Sequence, residues 1–223
     1  MCALLLTQPP PTNLPPPSRP DFWDDWSSLK AHITVAETFE PFFAAADTAP
    51  HPTYPDLDML PIGDIINNQH LAPSRFLPQE QRLLITLWSF AGAPLIMGGD
   101  LPPSSNATLP LLTNARLLAV HGGARGRRVL RSVGGAEAHA WGAAPGDAPG
   151  DAYLALINAA DAAQNLTLPL ASLPWLRQPQ GGSVCAVELW EGAPAGAFAT
   201  GSGALFYAEV GPHAAGAFRL TAC

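Results

Sequence analysis

Apolar positions recur at helical spacing in the first half of the chain and in short alternating runs in the second. Phe22, Trp26, Leu29 and Ile33 fall on one face of a helix expected to begin directly after residue 20. Asp21 or Ser18 can start it, and Asp24 and Asp25 suit the positive end of its dipole. Phe39, Phe42, Phe43 and the alanines beside them continue a core-facing helical pattern that Pro50 ends. Leu83, Leu84, Leu87, Trp88 and Ala91 repeat the period, with Pro78 in the first turn and Glu80 near the N-terminus. Residues 93–100 form a short apolar run closed by Gly98 and Gly99, the pattern of a buried strand that opens into a loop. Residues 109–120 read as a broken helix, with Pro110 early and Asn114 capping the second part.

From Gly122 onward glycine, alanine and short alternating runs take over. Residues 122–128 read as a linker rich in arginine. Eight candidate strands follow, at 129–133, 138–143, 152–159, 165–170, 184–190, 195–200, 204–210 and 217–222. Gly, Pro and Asp separate them, which predicts an antiparallel β-sandwich. Leu166, Leu168 and Leu170 alternate cleanly, so one face of that strand is buried.

Composition bounds the functional classes. With 223 residues and 48% hydrophobic content the chain can bury a sizeable core. Charged residues are 13% and net charge is −7, so no basic surface draws phosphate backbones and nucleic acid is not an expected partner. No apolar run reaches the roughly 20 residues of a membrane-spanning helix, and residues 1–6 are too short for a secretory core, so neither a membrane nor a targeting signal is expected in this copy. Residues 7–20 hold seven prolines and read as a solvated tail, giving residues 1–20 no packed structure. Cys2, Cys185 and Cys223 make no Cys-x-x-Cys pair, which speaks against a zinc site and leaves room for one Cys185–Cys223 bridge. The histidines form no His-x-x-x-His pair, and His213 suits a structural hydrogen bond in the turn before the last strand. Asn106-Ala107-Thr108 and Asn165-Leu166-Thr167 have the form of N-glycosylation acceptors, which matters only if the chain is secreted.

The chemistry concentrates around residues 51–63. Prolines 52, 55 and 61, with Gly63 at the close, make a poor helix and a poor central strand, and suit a strand end breaking into a loop. Asp56 and Asp58, two residues apart, would share a side of an extended segment. That is either a solvated acidic turn or a polar site. Residues 54–63 (Tyr-Pro-Asp-Leu-Asp-Met-Leu-Pro-Ile-Gly), 80–88 (Glu-Gln-Arg-Leu-Leu-Ile-Thr-Leu-Trp), 93–101 (Ala-Pro-Leu-Ile-Met-Gly-Gly-Asp-Leu) and 111–114 (Leu-Leu-Thr-Asn) resemble four consecutive blocks of glycoside hydrolase family 27, the α-galactosidase or melibiase family. The likeness extends over nearly everything after residue 18.

The resemblance implies a fold in two parts: at 21–121 the last strands and helices of a (β/α)8 barrel, and at 129–223 the β-sandwich that family members carry after it. The stretch 51–63 would supply the seventh barrel strand and 93–100 the eighth. It also implies site residues. The block Asp21-Phe22-Trp23-Asp24-Asp25-Trp26 is similar to one whose first aspartate is the family's general acid/base, which makes Asp21 the catalytic candidate. Asp58 and Met59 correspond to residues lining the sugar pocket, the carboxylate accepting sugar hydroxyls and the thioether packing beside the ring. Arg19 stands nearest to the family's substrate-binding arginine, though it precedes Asp21 by two positions where relatives have about four. Asp56 is expected to hold the loop, and Asp100 to serve structure. The implied activity is hydrolysis of terminal α-linked galactose by a retaining mechanism, which needs two carboxyl groups about 5 Å apart. The family's nucleophile lies in a Lys-x-Asp-x-Cys setting that occurs nowhere in this chain, so a fragment lacking the nucleophile is the expectation. The alternative is a catalytically inactive carbohydrate-binding or interaction module of the same descent, for which Trp141, Trp175 and Trp190 would have to be exposed rather than core. The implied partner is an α-galactoside; no cofactor and no metal are implied.

Overall fold

The computed structural model describes residues 21–41, 54–67, 70–100 and 107–223. Its described elements, in chain order, are α1 (Trp26–Thr38), β1 (Asp64–Asn67), β2 (His70–Pro73), α2 (Pro78–Ala91), α3 (Thr108–Leu112), α4 (Ala115–Gly123), then β3 (Ala124–Val129), β4 (Ala138–Pro145), β5 (Ala152–Asn158), β6 (Gln164–Pro169), β7 (Ser183–Glu188), β8 (Pro194–Ala199), β9 (Leu205–Val210) and β10 (Ala214–Ala222). The Pro-rich segment 1–20 with Arg19, the helical pattern beyond residue 41, and Asn106 of the first acceptor sequence lie outside the described residues.

One six-stranded antiparallel sheet, ordered β3-β4-β5-β10-β7-β8, organises the molecule. Strand β5 is central and buried along its whole length. Its alternating side chains feed two cores: Tyr153, Ala155 and Ile157 meet the helices, while Ala152, Leu154 and Leu156 meet the two-stranded sheet β6-β9. A strand buried on both faces loses the polar alternation that marks a half-exposed one, and the unbroken apolar run from Ala152 to Ile157 is the sequence trace of that position. On the helical side, Leu29, Ile33 and Ala36 of α1 and Leu83, Leu84, Leu87 and Trp88 of α2 are fully buried with Trp141 of β4. On the other side, Leu166, Leu168, Phe206 and Val210 close over Val184, Phe218 and Leu220. Each such leucine contributes roughly 1.5–3 kcal/mol by leaving water. The two layers facing each other across this second core form the antiparallel pair of sheets. Cys185 of β7 and Cys223, just past β10, are joined by a disulfide.

Local signals set the helix ends. Asp25, not Asp21 or Ser18, caps α1: its carboxylate accepts from the Ser28 N–H at 2.9 Å. Pro78 opens α2, the Leu77 N–H donates to Glu80 Oε2 at 2.8 Å, and Gly92 closes the helix in the left-handed region at φ 70°. Asn114 caps α4 by accepting from the Arg116 and Leu117 amides. Two polar contacts then lash α1 to the sheet side, an ion pair of Lys30 with Glu137 at 2.8 Å and a hydrogen bond between His139 Nδ1 and Glu37 Oε1 at 2.9 Å.

The expected partial (β/α)8 barrel is not the observed architecture. Every sheet among the described residues is antiparallel, and none closes or curls into a barrel. The two segments expected as the seventh and eighth barrel strands meet at a single parallel bridge, Leu60 with Met97, held by Leu60 N–H to Ile96 O (2.7 Å) and Gly98 N–H to Leu60 O (2.9 Å). Local chemistry stops the ladder there. Pro55 and Pro61 have no N–H to donate, and Asp58 turns out of the extended region at φ 75°. An antiparallel hairpin, β1-β2, follows the Asp58 turn. Residues 122–128, read as a linker, are the end of α4 and most of β3, so the first sandwich strand starts five residues early. The other seven strands lie within a few residues of their expected positions. Trp141 and Trp190 are core residues, and Trp175 is half-buried beneath the Arg128 guanidinium.

Candidate active site

A cleft of about 360 Å³ opens where the segment before α1, the Asp58 turn, the β1-β2 hairpin and the Gly98-Gly99 turn converge. Asp58, Met59, Phe22, Trp23, Asp24, Ile66 and Asp100 are among its walls. Asp58 is the joint between the two expected site segments. Its Oδ2 accepts from the Phe22 N–H at 3.2 Å and its Oδ1 from the Met59 N–H at 2.7 Å. Its own N–H donates to Asp56 Oδ1 at 3.0 Å, so Asp56 holds the turn. The Trp88 indole, fully buried, donates to the Asp58 carbonyl at 3.2 Å and ties the turn to α2. An aspartate accepts positive φ more readily than most residues because its short side chain bonds locally, and here it bonds on both sides.

Asp21 is exposed, directly before the Phe22 amide that Asp58 holds; its three successors line the cleft. Phe22 anchors the segment by inserting between His32, Phe76 and Trp88, with ring centroids 4.4, 6.0 and 5.2 Å away. Met59 is half-exposed in the wall. Asp21, Asp58 and Met59 are thus neighbours, whereas Arg19 lies outside the described residues.

Two contributors to the site escape sequence reasoning. Asp24, which reads as a helix-dipole carboxylate, is buried and paired with Arg75: Oδ1 accepts from Nη2 (2.8 Å) and Nε (3.1 Å), and Oδ2 from the Arg75 N–H (2.8 Å). That fork, with the carboxylate beside it, raises the Arg75 pKa above its ordinary value. Fifty-one positions separate the partners, and no local pattern links them. The second is the close backbone approach at Gly98 and Gly99, which their place at the end of an apolar run does not reveal. A Cβ on Gly99 would lie 2.2 Å from the Ile62 carbonyl oxygen and 2.9 Å from that of Asp64, so only glycine lets these backbones approach. Among the described residues no three His, Cys, Asp or Glu side chains group to hold a metal ion. No described helix is long and apolar enough to cross a membrane.

No protein-family model matches the chain, and no curated protein matches it. Solved structures do. A family 27 β-L-arabinopyranosidase from Geobacillus stearothermophilus superposes with a TM-score of 0.75 at 26% identity, over 90% of this chain and 43% of that one. A Bacillus halodurans protein provisionally assigned as an α-N-acetylgalactosaminidase gives 0.75 at 27%, over 90% and 44%. α-Galactosidase I from Mortierella vinacea gives 0.65 at 19%, over 93% and 49%. This chain spans less than half the length of each of these relatives. Its fold resembles the corresponding part of the glycoside hydrolase family 27 enzymes, and with it a hydrolytic fold of the glycosidase kind.

Proposed function

We propose that the cleft at Asp58 takes a terminal α-linked galactose, in the manner of an α-galactosidase, and that Asp21 is the general acid/base of that site. Asp58 accepts sugar hydroxyls, and Met59 packs its thioether against the apolar face of the ring. The observation that carries the reading is the hydrogen bond from the Phe22 N–H to Asp58 Oδ2, 3.2 Å, which joins the Asp21 segment to the sugar-binding turn. Support for the ring configuration comes from the structural relatives. β-L-Arabinopyranose has the ring stereochemistry of α-D-galactopyranose without its hydroxymethyl group, so enzymes named for these two sugars read one pattern of hydroxyls.

A retaining reaction needs a second carboxylate to attack the anomeric carbon. The Lys-x-Asp-x-Cys setting of the family's nucleophile is absent from this sequence, so this chain contributes sugar binding and proton transfer, and the attacking group is not among its motifs. The test is galactose binding by saturation-transfer NMR, beside release of nitrophenol from nitrophenyl α-galactoside. Binding that Met59→Ala weakens, without turnover, is the expected result. Turnover abolished by Asp21→Asn would overturn the assignment of an absent nucleophile, and no galactose binding at millimolar concentration would overturn the site.

A further inference from the structure

The outer face of the β6-β9 sheet carries a feature that sugar hydrolysis does not use. Strand β6 points Leu166 and Leu168 into the core, which turns Asn165 and Thr167 to the outside. These are the first and third residues of an Asn-x-Thr acceptor sequence. Asn165 is exposed, and among the described residues its side chain makes no hydrogen bond. In the ladder Asn165 faces Glu209 and Thr167 faces Tyr207, so Tyr207 lies diagonally across from Asn165, a separation of about 7–8 Å on an antiparallel pair.

Tyr207 is 62% exposed and Leu205, two residues before it on the same face, is 48% exposed. Among the described residues Phe198 meets the Tyr207 ring edge-on, centroids 5.2 Å apart, and leaves most of it open. An exposed aromatic ring one same-face position from the acceptor asparagine, with an aliphatic side chain one position further on, offers apolar surface for a pyranose attached there. A second, independent observation concerns the compartment: a disulfide such as Cys185–Cys223 persists in oxidising compartments, and the lumen where N-glycosylation takes place is one of them.

We propose that Asn165 is an N-glycosylation site and that the innermost sugars of its glycan cover Tyr207 and Leu205. The donor is an oligosaccharide linked to a polyprenyl diphosphate. The Asn165 Nδ2 attacks the anomeric carbon and gives up one proton to the transferase, forming the C–N bond as the bond from that carbon to the diphosphate oxygen breaks and the polyprenyl diphosphate leaves. Thr167 supplies the hydroxyl that the transferase reads at the third position.

The experiment expresses the full chain behind a cleavable lumen-targeting leader in a eukaryotic host and maps the purified protein by mass spectrometry, before and after peptide N-glycosidase. Expected is a glycan on the peptide containing Asn165, lost in Asn165→Gln and Thr167→Ala and kept in Thr167→Ser and Asn106→Gln. Enzymatic removal of the glycan is expected to lower the melting temperature by about 2–4 °C, the scale of one modest contact in a chain this size. That shift should shrink in Tyr207→Ala, which keeps the glycan. An unmodified Asn165 peptide in secreted, disulfide-bonded protein would overturn the site. Equal melting shifts in the natural protein and Tyr207→Ala would overturn the covering role of the sheet face.

Discussion

Trp26 lies flat on His213, ring centroids 3.9 Å apart and planes 9° from parallel, and this stack joins the first turn of α1 to the β9-β10 turn. The imidazole is held on both edges: Nδ1 is 3.0 Å from Glu80 Oε1 and Nε2 is 2.8 Å from Asp161 Oδ1. Glu80 also takes the Leu77 amide, which makes it the common anchor of the α2 start and this stack. Lys30 adds to the field on Asp161.

His213 therefore ties helical and sheet layers, with a pH signature. Its hydrogen bond holds the Asp161 carboxyl below the usual value of 3.8. A carboxylate lowered in the folded state stabilises the fold above its unfolded pKa, and that stabilisation is lost as pH falls through the folded value. His213→Ala should lower the urea midpoint near neutral pH, and the gap from the natural protein should narrow in strong acid. Urea titrations of both proteins across that range check this; a gap that stays constant would rule out the His213–Asp161 link as its source.

The cap of α1 behaves similarly. Asp25 is lowered first by the Ser27 hydroxyl, against partial burial, and further by the Ser28 amide. The sign is again loss of stability as pH falls through the lowered value. Asp25→Ala should cost about 1 kcal/mol, the ordinary loss of an N-cap, whereas Asp25→Asn should cost less because asparagine also caps. Chemical denaturation at neutral pH distinguishes the two substitutions.

Gly99 sets the cleft floor. A methyl group there meets two carbonyl oxygens, so Gly99→Ala must push the Gly98-Gly99 turn away from Ile62 and Asp64. Stability should fall, and so should the galactose binding proposed for the cleft. Gly122, late in α4, has nothing within 4 Å of an added Cβ, and Gly122→Ala should raise stability by about 0.5–1 kcal/mol. Thermal melts and sugar titrations on the pair separate a close backbone approach from general intolerance of alanine.

The Cys185–Cys223 bridge closes a loop of 38 positions around β8 and β9 and pins β7 to the end of β10. Reduction, or Cys185→Ser with Cys223→Ser, should cost about 2–4 kcal/mol. Denaturant unfolding with and without reductant measures it, and equal midpoints would mean the bridge constrains little in the unfolded chain.

Much of this molecule is legible one segment at a time. The helical stripe of Leu83, Leu84, Leu87 and Trp88, the Pro78 start and the Asn114 cap act within a few residues, so the sequence alone locates α2 and α4. The same holds for seven of the eight C-terminal strands, whose alternation and bounding turns are local. The resemblance of residues 54–63 and 93–101 marks Asp58 and Met59, and the cleft brings both beside the Asp21 segment.

What the tertiary structure alone decided is pairing over distance. The 51-residue reach from Asp24 to Arg75 is invisible to any window on the chain, as is the 133-residue reach from Glu80 to His213. The order β3-β4-β5-β10-β7-β8, with β5 buried between two cores, sets β10 beside β5 although four strands intervene in sequence. Strand period states which side chains share a face, but every antiparallel partner with an apolar face satisfies that pattern equally. The barrel expectation came from the family resemblance, which does not fix pairing: a short apolar run can enter a parallel ladder or stop at one bridge, and here Pro55, Pro61 and the left-handed Asp58 leave the Leu60–Met97 bridge alone between the two segments. Propensity acts over a few residues, whereas sheet order is settled by how much apolar surface the whole chain can bury at once.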